Sequence, residues 1–256
     1  MIPWEHLDTA EIPGGGGTLR LLRRGEAYSI MLGQNELMNS RLSGSEEALA
    51  GLACARIAGR PAPQVLIGGL GMGFTLRAAL AALPPGARVV VAELVPAVLA
   101  WARGPLAEVF AGSLDEPRVV LREADVAALI AGGKAAFDAI LLDVDNGPDG
   151  LTRASNDRLY DLPGLAAART SLRPGGVLAV WSAGPDPTFG RRLREAGFFV
   201  EEVAARANGR RGGARHRIWL AIRPDRAPDR APSQSPSLSP SLPPSRPPTR
   251  RPARRG

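Results

Sequence analysis

The run Val65-Leu66-Ile67-Gly68-Gly69-Leu70-Gly71-Met72-Gly73-Phe74 decides how the rest of the chain is read. A short apolar stretch breaks into glycines and reopens as a helical segment, Thr75 to Leu83, which predicts a strand, a tight turn and a helix N-terminus. Gly69, Gly71 and Gly73 let the backbone turn sharply and leave room for a ligand that a Cβ would exclude. The unbonded amides of the helix start face that room. Twenty residues beyond Gly73, the apolar run Val89-Val90-Val91-Ala92 ends in Glu93, the spacing at which an acid holds the two hydroxyls of a ribose. A glycine turn alone also fits an ordinary strand-to-helix connection. The acid closing the next strand turns the reading toward a nucleoside site.

Downstream the pattern alternates. Strands are expected at 64–68, 88–92, 118–122, 137–142 and 176–181, with helices at 74–83, 96–103, 125–131, 162–172 and 187–196 between and after them. Such alternation implies a parallel sheet covered on both faces. Residues 198–204 and 216–222 are two strands joined too tightly for a crossover helix, hence antiparallel. Five parallel strands and a terminal antiparallel hairpin define an α/β, Rossmann-like seven-stranded sheet of the class I type that binds S-adenosylmethionine. Upstream, Leu19 to Leu22 and Tyr28 to Leu32 read as a small hairpin that Glu36 to Leu42 extends. Residues 1–18 read as a flexible lead-in. A helix follows, with Ser43 and Glu46 as a capping box and Leu49, Leu52, Ala53 and Ile57 as its apolar face.

In open sheets of this kind the ligand lies beyond the carboxyl ends of the strands. That rule selects the glycine turn, Glu93, Asp125, Asp143 and the pair Trp181-Ser182. Glu93 is expected on ribose hydroxyls. Asp125 is suited to accept from an adenine amine, and equally to cap the helix after it. The fourth strand ends in Leu142-Asp143-Val144-Asp145-Asn146-Gly147-Pro148-Asp149-Gly150, a carboxylate cluster delivered into a turn. Either something cationic binds there or the acids are a solvated turn. The long connection from Asp143 to Tyr160 is expected to act as a lid, and Tyr160 belongs either to an acceptor pocket or to the core.

Composition limits the alternatives. The formal charge is +7, but residues 224–256 carry seven arginines against two aspartates and ten of the 24 prolines, so residues 1–223 are nearly neutral. That tail has too little apolar surface to offset its ordering entropy and is expected to be disordered. A nucleic-acid partner is disfavoured because no aromatic residues interleave with the basic ones. Cys54 is the only cysteine, and the two histidines, His6 and His216, stand far apart, so neither a metal site nor a hydrolytic triad gains support. No apolar run spans a membrane and no basic-then-apolar leader is seen, which predicts a cytoplasmic protein. The expected organisation is a lead and hairpin element at 1–42, a nucleoside-binding catalytic domain at 43–223 and the tail at 224–256.

The chain resembles the spermidine synthase family, the polyamine aminopropyltransferases. Members carry a Gly-Gly-Gly-Asp-Gly-Gly loop, an acid closing the second strand, a Gly-Asp adenine segment and a strand ending Asp-Ser-Ser-Asp-Pro-x-Gly-Pro. Here stand Gly68-Gly69-Leu70-Gly71-Met72-Gly73, Ala92-Glu93-Leu94, Ala124-Asp125 and Asp143-Val144-Asp145-Asn146-Gly147-Pro148. The likeness runs from about residue 19 to 222 and includes Leu32-Gly33 and Glu46-Glu47. It departs where the family's loop aspartate is Gly71, the second acid of the fourth-strand segment is Asn146, and the helix-start tyrosine is Ser45. The resemblance implies transfer of an aminopropyl group from decarboxylated S-adenosylmethionine to a small amine, without a metal. Asp143 would be the base, Asp145 and Glu47 would supply negative potential, and Asn146 and Tyr160 would be acceptor-side positions. It also implies a homodimer with the N-terminal hairpin at the interface. Two other readings stand beside it: an S-adenosylmethionine-dependent methyltransferase, since losing the acid at 71 removes repulsion against the methionine carboxylate, and a non-catalytic nucleoside-binding module.

Overall fold

Each half of the apolar pattern is built into a separate sheet. The computed structural model describes residues 2–144, 157–209 and 212–225. The N-terminal sheet is a four-stranded antiparallel meander of β1 (Glu5–Glu11), β2 (Thr18–Arg24), β3 (Ala27–Leu32) and β4 (Asn35–Asn39), in that spatial order. The residues read as a flexible lead-in therefore hold a strand, β1, paired along β2 from Glu5↔Arg23 to Glu11↔Thr18. Leu19, Leu21 and Ile30 point inward and join the apolar core of the larger sheet.

After the meander comes α1 (Gly44–Arg56), and then the alternating part: β5 (Gln64–Gly68), α2 (Phe74–Ala82), β6 (Arg88–Glu93), α3 (Pro96–Arg103), α4 (Ala107–Phe110), β7 (Val119–Glu123), α5 (Val126–Gly132) and β8 (Phe137–Leu142). Beyond the described break lie α6 (Asp157–Tyr160), α7 (Leu162–Ser171), β9 (Leu172–Ser182), α8 (Pro187–Glu195), β10 (Phe199–Arg206) and β11 (Arg215–Ile222). The second sheet has the order β10-β11-β9-β8-β5-β6-β7. Strands β5 to β9 are mutually parallel, and β11 runs antiparallel to both of its neighbours. The α/β sheet with its terminal hairpin is thus as the pattern predicts.

Val65, Leu66 and Ile67 on β5 are fully buried, as are Ile140 and Leu141 on β8, because helices cover both faces. Each such side chain stabilises the fold by about 1.5–3 kcal/mol. Their near-continuous apolar runs leave only the strand ends polar. At the start of β8, Asp138 is 1% exposed, and its carboxylate accepts from the Gln64 amide at 2.6 Å and pairs with Arg173 at 2.7 Å and with Arg60. At the other end of the strand stands Asp143.

The two sheets are tied side by side. Trp101 on α3 is buried and its Nε1 donates to Asp8 Oδ2 on β1 at 2.6 Å. The start of α1 docks on the turn before β11, where the Gly44 amide donates to the Ala207 carbonyl at 2.9 Å and a Cβ on Gly44 would stand 2.7 Å from Gly209 Cα. That docking displaces the expected capping box. Ser43 is the N-cap residue but its hydroxyl donates to Glu47 Oε1 at 2.8 Å, and no side chain caps the helix. No helix among the described residues is long and apolar enough to cross a membrane.

Candidate active site

The glycine turn after β5 is held by backbone bonds before any ligand enters. The Gly69 amide donates to the Ala92 carbonyl at 2.9 Å, and the Asp143 amide to the Gly68 carbonyl at 3.0 Å. Glu93 braces the same turn: its carboxylate oxygens accept from the amides of Leu70 and Val95, each at 2.9 Å. Burial pushes its pKa up, and these backbone donors pull the other way. The three glycines differ in what requires them. A Cβ at Gly69 would overlap the Asp143 carbonyl oxygen, and one at Gly73 would lie 2.6 Å from Phe110 Cδ1. Those two positions keep room for the protein's own atoms rather than for a ligand. At Gly71 (φ +52°) an added Cβ would meet no backbone, only Met38 Sδ at 3.1 Å.

Two clefts meet at the strand ends. Gly69, Gly71, Glu93, Asp125 and Asp143 line the first, and the apolar side chains of Leu37 and Met38 contribute to its opposite wall from the N-terminal sheet. Asp125 caps α5, accepting from the Ala127 amide at 2.8 Å through Oδ1, while Oδ2 pairs with Arg158 of α6. The second cleft is lined by Glu36, Glu46, Asp143, Trp181 and His216. Gly71, Met38 and Asp143 belong to both clefts.

Asp143 is the hinge of the arrangement. Its Oδ2 accepts from the Thr75 hydroxyl at 2.6 Å, and among the described residues no ion pair involves it. Burial, reinforced by the nearby Glu46 charge, raises its pKa to about 7. A carboxyl so placed can hold or release a proton near neutrality. Glu46 is also raised by burial. His216 on β11 is pushed down by the loss of solvent; its Nδ1 lies 2.9 Å from Ser45 Oγ, and its ring meets Trp181 edge-on with centroids 4.7 Å apart. Glu36 is held by Ser29 at 2.7 Å, Asn39 at 3.1 Å and Arg41 at 3.4 Å.

Gly69, Gly71, Glu93, Asp125 and Asp143 thus converge on one cavity, and Gly73 lines the adjoining one. Glu47 does not: it is exposed and lines a separate groove with Arg77 on the far side of α1, while its neighbour Glu46 faces Asp143. Tyr160 is 2% exposed and packs edge-on against Phe189 in the core on the other face of the sheet, at 5.7 Å between centroids. Its pocket role is thereby replaced by a core role. Asp145 and Asn146 lie outside the described residues, as do most of the lid and nearly all of the tail. Sequence reasoning gave no site role to Glu46, Ser45, His216, Met38 or Arg158. For His216 a signal existed, since β11 pairs with β9 at Ile218↔Trp181 and so brings its first residues to the strand end already singled out.

Five parallel strands and a terminal antiparallel hairpin in this order define an α/β protein with a class I methyltransferase-like fold. No family model matches the chain. Within that class, its sequence is 37% identical over 149 residues to the polyamine aminopropyltransferase of Mycobacterium tuberculosis, covering 54% of this chain and 27% of that protein. It is 35% identical over 127 residues to that of Nitrosomonas europaea, covering 50% and 37%. The chain therefore spans well under half the length of the curated relatives it matches. The spermidine synthase of Thermotoga maritima superposes with a TM-score of 0.67 at 18% identity, over 85% of this chain and 72% of that one. A probable spermidine synthase from Corynebacterium glutamicum gives 0.57 at 16%, over 84% and 79%. The chain is similar to polyamine aminopropyltransferases in sequence over about half its length and to spermidine synthases in fold.

Proposed function

We propose that the protein transfers an aminopropyl group from a decarboxylated S-adenosylmethionine-type nucleoside to an amine, with Asp143 as the proton-accepting group. The observation that carries this reading is the charge of the joined clefts. Among the described lining residues the charged side chains are all carboxylates, Glu93 and Asp125 in one cleft, Glu36 and Glu46 in the other, Asp143 in both, with no Lys or Arg. An amine acceptor arrives as an ammonium, since alkylamines titrate near ~10.4, and a sulfonium donor is also a cation. Both are matched by carboxylates. A methionine carboxylate would meet like charges instead, and two charges ~4 Å apart repel by about 4 kcal/mol at an effective dielectric constant of ~20.

The residues fit the donor as a site for its parts. Glu93 faces the first cleft where ribose hydroxyls would donate to it, the Leu37 and Met38 wall suits an adenine face, and Asp125 suits its amine. The acceptor ammonium passes one proton to the Asp143 carboxylate; its nitrogen lone pair forms the new N–C bond as the C–S bond breaks, and the electron pair stays on sulfur as a neutral thioether. Alignment supplies most of the rate, since no group of the protein is covalently modified. Similarity to polyamine aminopropyltransferases and to spermidine synthases supports the same reading.

Calorimetry with methylthioadenosine, decarboxylated S-adenosylmethionine and S-adenosylmethionine tests it. The first two are expected to bind, the decarboxylated donor at least tenfold more tightly than the carboxylated one. Tight binding of S-adenosylmethionine alone would transfer the assignment to methyl transfer.

A further inference from the structure

Resting on that reading, we propose that Glu46 is the specificity-determining carboxylate for the second cationic centre of the acceptor, and that His216 is its positioning residue, acting through Ser45. The geometry is a chain of contacts between two segments far apart in sequence. Ser45 is 1% exposed and its hydroxyl donates to Glu46 Oε2 at 2.7 Å. With that proton committed, the Ser45 oxygen can only accept, so His216 must donate to it from Nδ1–H across the 2.9 Å contact. This fixes the imidazole as the Nδ1–H tautomer and leaves Nε2 bare. The hydrogen-bond direction also excludes a hydrolytic Ser-His pair, in which serine donates to histidine. The edge-on contact with Trp181 fixes the ring plane, and the docking of Gly44 on the Ala207 carbonyl fixes α1 against the same hairpin.

Of the carboxylates in the acceptor-side cleft, each has a different occupation. Asp143 faces the donor cleft as well and accepts from Thr75. Glu36 is tied up by Ser29, Asn39 and Arg41. Among the described residues the side-chain partner of Glu46 is Ser45, and Glu46 lies near enough to Asp143 for its charge to raise the Asp143 pKa. The ionisable groups facing it are Asp143, His216 and, across the cleft, Glu36 with Arg41, while Glu47 and Arg77 lie on the other side of α1. Of these three carboxylates Glu36 is paired with Arg41; the other two, Asp143 at the reacting end and Glu46 held from behind, suit an acceptor with a cation at each end.

The test is steady-state kinetics on the full chain with the decarboxylated donor saturating, comparing a straight-chain diamine with the monoamine of equal length. Glu46→Gln is expected to raise the KM for the diamine about tenfold or more, the range of a lost charge-assisted hydrogen bond, with kcat within about threefold and the monoamine little affected. It should also move the acid limb of the rate profile to lower pH, because Asp143 loses the charge that helps hold its pKa near 7. His216→Phe should raise the diamine KM in the same way, and His216→Asn, whose amide can donate to Ser45, should restore much of it. Methylthioadenosine affinity reports whether the donor cleft of each variant is intact. An unchanged diamine-to-monoamine ratio in Glu46→Gln, or wild-type KM in His216→Phe, overturns this assignment alone. A wild-type protein that binds nucleoside but transfers to neither amine removes the proposed function and this assignment with it.

Discussion

Replacing Asp143 by Asn removes a charge that burial and Glu46 both disfavour, so its two effects run in opposite directions. Loss of the proposed proton acceptor is expected to lower kcat by about 10²–10⁴. Stability should rise, and the pH dependence gives the sign. The folded pKa, about 7, lies above the unfolded value near 3.8, so between them the native state keeps a proton that the unfolded chain has lost. Wild-type stability therefore declines as pH rises through that window and stays lowered above it. Asp143→Asn escapes the decline: its thermal midpoint should exceed the wild type's by on the order of a few degrees at pH above about 7, and the gap should close toward pH ~4. Gly73→Ala tests a purely internal constraint, since φ is +77° and Phe110 fills the space. A loss of about 1–3 kcal/mol in urea unfolding is expected. At this scale the sequence was informative where an apolar run ended in an acid, which is why Asp143 and Glu93 could be located. It did not separate Glu46 from Glu47. Adjacent helical residues point about 100° apart, and the phase of α1 is set by Gly44 against the 207–209 turn, a contact invisible in local pattern.

One acid within strand β8 and one just after it have opposite surroundings, and they are expected to respond oppositely to neutralisation. Asp138 sits between Arg60 and Arg173 and accepts from the Gln64 amide. Removing its charge deprives a buried side chain of its ion pairs with two partly exposed guanidinium groups, and Asp138→Asn should cost about 1–3 kcal/mol in denaturant unfolding, where Asp143→Asn stabilises. The alternating strands and helices were legible because parallel strands buried on both faces must be apolar throughout. Strand β1 was not. It is largely exposed, only Leu7 and Ala10 pack partly against the core, and the four glycines that follow dominate its local reading. What orders β1 is its pairing with β2 and the bond from Trp101 to Asp8, both long-range.

Over the whole molecule, the clefts draw on pieces that are remote along the chain: Met38 and Glu46, the turn at 69–73, Asp143, Trp181 and His216. A chain starting at residue 43 would lose the wall made by Leu37 and Met38, and methylthioadenosine binding should fall below detection in calorimetry even if the larger sheet folds. Ending the chain after Asp225 should leave nucleoside affinity within about twofold, because Gly69 to Gly73, Glu93, Asp125 and Asp143 all precede that point. Strand β11 has a further bearing on how the protein comes to exist. It is made last of the described elements yet takes an interior place, between β9 and β10. As the ribosome delivers the chain, the sheet ends at β9 until β11 arrives, because the sheet neighbour of β10 is β11. A nascent protein halted before residue 215 has an open β9 edge, which offers unpaired amides to any passing extended peptide. Chaperone demand during synthesis is expected to concentrate on this interval.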